Sequence, residues 1–272
     1  MNTLADPPTG TFDADLERRF GGLRRLYGDV GYARLRAARF AIVGLGGVGS
    51  WCAEALARSG VASLTLIDLD HVAESNVNRQ VQAVGATIGQ SKVQALRARI
   101  ADIHPGCAVI GVEAFADENN WPGLLVEPVD AVIDACDQVR AKTAIAAWSL
   151  RTGSTLVIAG AAGGKRRPDA VQVDDLGLVT HDPLLAALRQ RLRKHHGAPR
   201  AGKIGVRCVY SREAVATPSQ PDGTGGARDS SLNCHGYGSS VAVTATFGMV
   251  AASLALEFAA TLVSPGAVPS YN

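Results

Sequence analysis

Short apolar runs alternate with longer amphipathic stretches along this chain, and the alternation predicts a layered α/β fold. Residues 39–43 form an apolar run of strand length, followed by a glycine-rich turn, a helical stretch over 48–59 and a second apolar run over 63–67. Run lengths of this kind, bounded by turn residues, are the signature of buried strands. Val93, Leu96, Ile100 and Ile103 recur at helical spacing within 91–103, and 107–112 returns to a strand. Further strands are expected at 130–134 and 154–159, with a helix over 139–150 between them. Strands alternating with helices imply a mainly parallel sheet whose ligands sit at the strands' carboxyl ends.

Ahead of the sheet, 16–20 and 32–35 are expected as two short helices around a Gly21-Gly22 break. Residues 1–15, with paired prolines and few large apolar groups, read as a disordered tail, and 264–272 as a second one. After Gly163-Gly164 the pattern loosens. Residues 170–173 and 204–210 alternate like strands around a charged helix over 183–195, and 214–229 has the Pro/Gly/Ser/Thr make-up of a mobile loop or lid. No linker separates this half, so 16–263 reads as one domain with a nucleotide-binding half over 38–163 and a substrate-binding extension over 164–263.

The stretch 241–263 is nearly unbroken apolar sequence, interrupted by Thr244, Thr246, Ser253 and Glu257. It reaches membrane-spanning length. Gly248, several small residues, an embedded carboxylate and the lack of a flanking Lys/Arg cluster favour a helix buried in a domain or dimer, with membrane association the minor alternative.

Composition narrows the class only slightly. At 272 residues and 47% hydrophobic, the chain can bury a sizeable core. A formal charge of +2 is too mild to require a nucleic acid, so such a partner must be argued from local clusters. Five cysteines, Cys52, Cys107, Cys136, Cys208 and Cys234, include no CxxC pair. That suits a reduced, cytoplasmic protein with no zinc site.

The turn Gly44-Leu45-Gly46-Gly47-Val48-Gly49 opens a helix, and Asp68 follows at the end of the second strand. Backbone amides in such a turn cradle phosphates, and an acid about 20 residues on takes ribose hydroxyls. An NAD(P) oxidoreductase or a non-catalytic nucleotide scaffold carries the same two features. Asn76, Asn78, Arg79 and Gln80 change the picture, because amides and a guanidinium beside phosphates suit an enzyme that breaks a nucleoside triphosphate. Each has a plainer alternative. Asp70 either assists or caps the next turn; Asn76, Arg79 and Gln80 either meet phosphate or brace a polar loop; Lys92, after Gly89-Gln90-Ser91, has the position of a solvated first-turn lysine. Asp134 and Asp137, three residues apart at a strand end, suit Mg²⁺ bridging phosphates unless one caps the helix from Val139.

Together with Arg19-Phe20-Gly21-Gly22, Arg25-Leu26-Tyr27-Gly28, Gly49-Ser50-Trp51, Asn78-Arg79-Gln80 and the run Val241 to Gly248, these residues carry a family likeness. The chain resembles the ubiquitin-activating-enzyme-like, or ThiF-type, adenylating family, whose bacterial members activate the carboxyl ends of small sulfur carriers. Within it, the wording is similar to the branch that acts on threonylcarbamoyladenosine in tRNA, from Leu16 to Leu262. The resemblance implies a Rossmann-like ATP-binding fold extended by a C-terminal mixed α/β portion and a long apolar helix. It also implies a reaction: ATP adenylates the threonyl carboxylate beside the anticodon, and intramolecular ring closure releases AMP.

The same resemblance assigns triphosphate contacts to Arg79 and Lys92, and nucleotide binding to Gly44, Gly46, Gly47, Gly49, Asp68, Asp70, Asn76 and Gln80. Mg²⁺ falls to Asp137 with Asp134 in support, and an N-terminal arginine, Arg25 or Arg19, enters the other subunit's ATP site of a homodimer. A sulfur-relay protein is a further candidate partner, and the alternative activity is activation of a ubiquitin-like sulfur-carrier protein. The basic residues Arg189, Arg191, Arg193, Lys194, Arg200, Lys203 and Arg207, with no acid among them, and a second cluster Lys165-Arg166-Arg167, form either a solvated face or a phosphate-backbone track for tRNA. Cys234 beside His235 invites a thiolate nucleophile, but neighbouring side chains diverge and ring closure requires no covalent enzyme intermediate.

Overall fold

The apolar runs assemble into a seven-stranded sheet flanked by helices on both faces. The computed structural model describes residues 14–216 and 237–261. Strands β1 (Arg39–Val43), β2 (Ser63–Ile67), β3 (Ala108–Val112), β4 (Ala131–Asp134), β5 (Thr155–Ala159), β6 (Val171–Asp175) and β7 (Arg207–Ser211) stand in the order β3-β2-β1-β4-β5-β7-β6. Every neighbouring pair is parallel except β6 with β7. The extension is therefore stitched to the nucleotide-binding half by β5–β7 pairing, in one sheet.

Side-chain alternation explains the two covered faces, because successive strand residues point to opposite sides. Phe40 and Ile42 of β1, Ile133 of β4 and Val157 of β5 enter one core, while Ala41, Val43, Val132 and Ile158 enter the other. The first core is closed by α3 (Gly49–Arg58), α4 (Lys92–Ile103) and α7 (Val241–Thr261), the second by α5 (Val139–Thr152) and α6 (Pro183–His195). Both faces of the central strands are thus apolar, as parallel sheets require.

At the N-terminus the break falls elsewhere than expected. α1 (Leu16–Phe20) passes through a 3₁₀ turn at Gly21–Leu23 into α2 (Arg24–Ala37), so Gly21-Gly22 does not interrupt the helical path. The kink lies inside α2 at Gly28, whose φ of 69° is left-handed and cheap only for glycine. The expected loop 214–229 lies mostly outside the described residues, as do Cys234 and nearly all of both tails.

α7 is the candidate membrane span. One face carries Val243, Phe247, Ala251, Ala255, Leu256 and Ala259, all buried in the first core. Gly248 lets its backbone meet α3, since a Cβ there would lie 2.5 Å from Val48 O and 2.9 Å from Cys52 N. Each buried Val, Leu or Phe is worth about 1.5–3 kcal/mol, so withdrawing this helix into a bilayer would strip the core of its domain.

The chain order reverses between β1 and β4. Val43 pairs with Ile67 on one side and Asp134 on the other, so the ends of β2, β1 and β4 open together into the crevice where such sheets bind ligands.

Candidate active site

The glycine turn leaves β1 at that crevice. Gly44 has φ +87°, and a Cβ there would stand 2.7 Å from Cys136 N, while a Cβ on Gly49 would run into Gly44 O. The turn is therefore folded back on itself and against the β4 loop as only glycine allows. Val48 gives α3 no side-chain cap, Ser50 N already donates to Gly46 O at 3.1 Å, and a Cβ on Gly46 would meet open space. Uncapped amides with a positive dipole end form a phosphate cradle.

Asp68 braces this turn. Its Oδ2 accepts from Leu45 N at 2.6 Å and its Oδ1 from Asp70 N at 2.8 Å. Burial raises its pKa, although Lys92 and the two amides act in the other direction. Lys92, buried at the start of α4, donates to Asp70 Oδ2 at 2.7 Å, so the first-turn lysine is directed inward rather than solvated.

The polar loop crosses the mouth of the turn. Asn76 is buried and accepts from Ala73 N at 3.0 Å, bracing the loop from within. Half-buried Arg79 donates to Ser75 O and Asn78 Oδ1, leaving guanidinium protons for an anion. Its Cγ would lie 3.3 Å from a Cβ at Gly47, so it stands directly over the glycines. Trp51 Nε1 donates to Arg79 O at 2.9 Å, tying the loop to α3. Gln80 is buried and accepts from Gln82, which also donates to Leu45 O.

The two acids after β4 part company. Asp134 is fully buried and pairs with Lys142 Nζ at 3.1 Å; that ammonium also donates to Asp134 O at 3.3 Å and Ala159 O at 2.9 Å. Burial opposes the charge on Lys142, but Asp134 more than offsets it and the pKa is raised. Asp134 Oδ1 also accepts from Cys136 N at 3.1 Å, shaping the loop. Supporting a metal beside Asp137 is thus not what this side chain does here: its charge is already matched by Lys142. Asp137 is exposed, has no hydrogen-bond partner among the described residues, and fits a single hard-oxygen ligand beside phosphate. Among the described residues no cluster of three or more His, Cys, Asp or Glu could hold a metal by itself.

Arg19 donates to Asp102 O at 2.9 Å and Ile103 O at 2.6 Å, capping the carboxyl end of α4. Arg25 is exposed and has no partner among the described residues. Lys165 is buried and spends its protons on His181 O, Ser211 O and Glu213 O, and Arg167 pairs with Asp169, which leaves Arg166 as the one cation of the 165–167 cluster whose side chain has no partner among the described residues. Burial pushes the thiol of Cys52 up to about 12 and that of Cys107 up to about 11; those of Cys136 and Cys208 are raised as well. None of these is a ready thiolate.

Lys142 is the site residue that motif reading leaves out, and Trp51, quoted only within a motif, gains a role as the tie between α3 and the polar loop. Lys142 carried a signal: it sits in an apolar helical stripe with Ala141, Ile145 and Ala146, eight positions after Asp134, and a lysine in such a stripe needs a buried anion.

The chain is 43% identical over 249 residues to the tRNA threonylcarbamoyladenosine dehydratase of Escherichia coli, a span covering 88% of this chain and 92% of that protein. The crystal structure of the Escherichia coli enzyme in complex with ATP superposes with a TM-score of 0.80 at 40% identity, covering 90% of this chain and 95% of that one. Its complex with AMP gives 0.81 at 42% identity, with the same coverage. The ThiF family pattern matches residues 19–271, so the likeness extends through the glycine turn, the polar loop, the β4 loop and α7 alike. The chain belongs to the ThiF family.

Proposed function

We propose that this protein carries out the ATP-dependent cyclising dehydration of threonylcarbamoyladenosine beside the tRNA anticodon, through adenylation of the threonyl carboxylate and ring closure with release of AMP. The observation that carries the reading is the company kept by the glycine turn. Arg79, Lys92 and Asp137, which a dinucleotide's pyrophosphate bridge does not require, occupy the loops around it, in a chain similar over 88% of its length to a dehydratase of this kind.

ATP supplies an α-phosphorus for the carboxylate oxygen and, once pyrophosphate has left, AMP as a leaving group far better than hydroxide. The chain's own part is to hold like charges together. Gly44, Gly46, Gly47 and Gly49 bring backbone amides to the phosphates without side-chain obstruction. Arg79, fixed over Gly47, offsets negative charge where the carboxylate and phosphate meet, a term worth roughly 3–4 kcal/mol when one such donor is removed. Lys92 stands at the site as an ion pair with Asp70, and Asp68 keeps the turn closed and would accept from the ribose hydroxyls. Asn76 and Gln80 shape the loop that carries Arg79. Asp137 would hold Mg²⁺, which would offset charge on the phosphates.

The free guanidinium of Arg25 supports a homodimer in which each protomer lends this residue to its partner's site; Arg19 is committed to α4. The four cysteines among the described residues, none in a disulfide, and the embedded face of α7 support a cytoplasmic location.

Purified protein with ATP, Mg²⁺ and tRNA bearing the threonylcarbamoyl group should lower the mass of the modified nucleoside by one water. An unchanged mass refutes the proposal. AMP formed with a sulfur-carrier protein, and not with tRNA, selects the activator instead.

A further inference from the structure

The stretch from Arg189 to Arg207 contains seven Lys or Arg residues and no acid. Among the described residues none of the seven forms an ion pair, whereas Arg24, Arg58, Arg99 and Arg167 all do. α6 turns Leu184, Leu185, Leu188 and Leu192 into the core, which puts Arg189, Gln190, Arg193 and Lys194 on its outer side. With Ala186 and Arg200 these line a groove of about 590 Å³.

Two of the cations are held in place without being neutralised. Arg189 Nη1 donates to Leu176 O at 3.1 Å and Val179 O at 2.7 Å, and Arg193 Nε donates to Pro199 O at 2.9 Å. A carbonyl partner fixes a guanidinium's direction and leaves its charge for another anion, so part of the ordering cost of binding is already met. The plainer account is that cations gather at a helix carboxyl end to match its dipole. That account covers Arg193 and Lys194, in the last turn of α6, but not Arg200, Lys203 or Arg207 beyond it.

The groove also has a definite place. Asp182, the N-cap of α6, accepts from Ala161 N just past the carboxyl end of β5, on the reacting side of the sheet. Arg189 and Arg193 lie seven and eleven residues further on, roughly 10 and 17 Å down the helix and away from that edge. A small anionic substrate would gain nothing at that distance, whereas a long polyanion would. No aromatic side chain lines the groove, which suits phosphate contact rather than base stacking.

We propose that the groove along α6 docks the sugar-phosphate backbone of the tRNA substrate at a point remote from the reacting nucleoside. The inference rests on the tRNA reading of the active site and adds a second, separate contact.

Lys194→Gln/Arg200→Gln tests it, since neither side chain has a hydrogen-bond partner among the described residues and the fold should survive, as a matching thermal midpoint would verify. In the full-length protein, filter binding of tRNA over a salt series should show affinity reduced about tenfold or more, with the log–log salt slope smaller by about one per phosphate contact removed. In turnover the loss should fall on KM for tRNA. A folded double variant with parental tRNA affinity and salt slope overturns the proposal. So does one that keeps tRNA affinity but loses binding to phosphatidylglycerol vesicles, which would assign the groove to a membrane surface. If the parent binds tRNA and the variant does so more weakly, yet neither lowers the nucleoside mass, the groove stands and the dehydratase reading falls.

Discussion

Lys142 is the most exposed joint in the logic of the site, although it is fully buried. Replacing it with Met keeps the aliphatic length and removes the ammonium. Asp134 then retains only Cys136 N as a partner, because its Oδ2 has none, and Ala159 O loses a donor at 2.9 Å. Breaking one half of a buried pair costs about 3–5 kcal/mol, since it strands the other charge. Against a total stability of roughly 5–15 kcal/mol the variant should be crippled, though not necessarily unfolded. At about 2–4 °C per kcal/mol for a chain of this order, Tm should fall by roughly 6–20 °C. Asp134→Asn added to Lys142→Met removes the stranded charge and keeps an acceptor for Cys136 N. It should restore about 1–3 kcal/mol. Urea unfolding of the parent, both single variants and the double measures the coupling directly. A Lys142→Met protein within about 0.5 kcal/mol of the parent, or a double variant in which the two losses simply add, would show that the pair is not what holds the β4 loop.

Arg79→Ala and Asp137→Ala should each reduce adenylation by about 100-fold or more, read as tRNA-dependent AMP release, with Tm nearly unchanged; normal turnover removes that residue from the mechanism. Gly248→Val should cost about 1–3 kcal/mol by forcing α7 off α3, and a Tm equal to the parent's would contradict the close backbone contact. Stability should decline on acidification in two stages. Burial and Arg36 lower the pKa of His104, so the unfolded chain takes up that proton first, and stability falls as pH drops below the ordinary value of 6.5. For Glu54 burial acts upward, but Arg99 and Arg58 more than offset it; its depressed pKa gives stability above the ordinary 4.5 that is lost as pH falls through the folded value. A urea midpoint that stays flat from about pH 7.5 to pH 5.5 in the parent, or a first stage that persists in His104→Gln, would contradict the assignment to His104.

The sheet was legible because its strands are short apolar runs bounded by glycines and acids, and β1, β2 and their intervening helix fell within a residue of expectation. The N-terminal kink was not, because two neighbouring glycines look more disruptive than one. Whether a glycine breaks a helix depends on the φ it adopts, and only Gly28 of the three is left-handed. Arg79 and Lys92 were singled out by the family resemblance, and the structure sets Arg79 over Gly47 and Lys92 on Asp70. Sequence put Asp137 on the metal with Asp134 in support; a lysine on the following helix takes Asp134 instead, and that pairing depends on which face of α5 meets β4. The basic clusters differed for the same reason, since Lys165 is drawn inward by three carbonyls while Lys194 has no partner among the described residues.

The contact between α7 and the glycine turn makes the motif depend on a distant part of the chain. Thr244 stands where a Cβ on Gly47 would touch it at 3.1 Å, and Asn78 Nδ2 donates to Ser239 O at 3.0 Å. The most recognisable motif in the chain is therefore walled by residues from a distant stretch of sequence, at the start of α7. A ribosome that stalls before position 241 leaves a polypeptide with every glycine of the motif and no back to its cradle. The crevice is therefore closed by two distant parts of the chain, and the glycine motif alone does not make it.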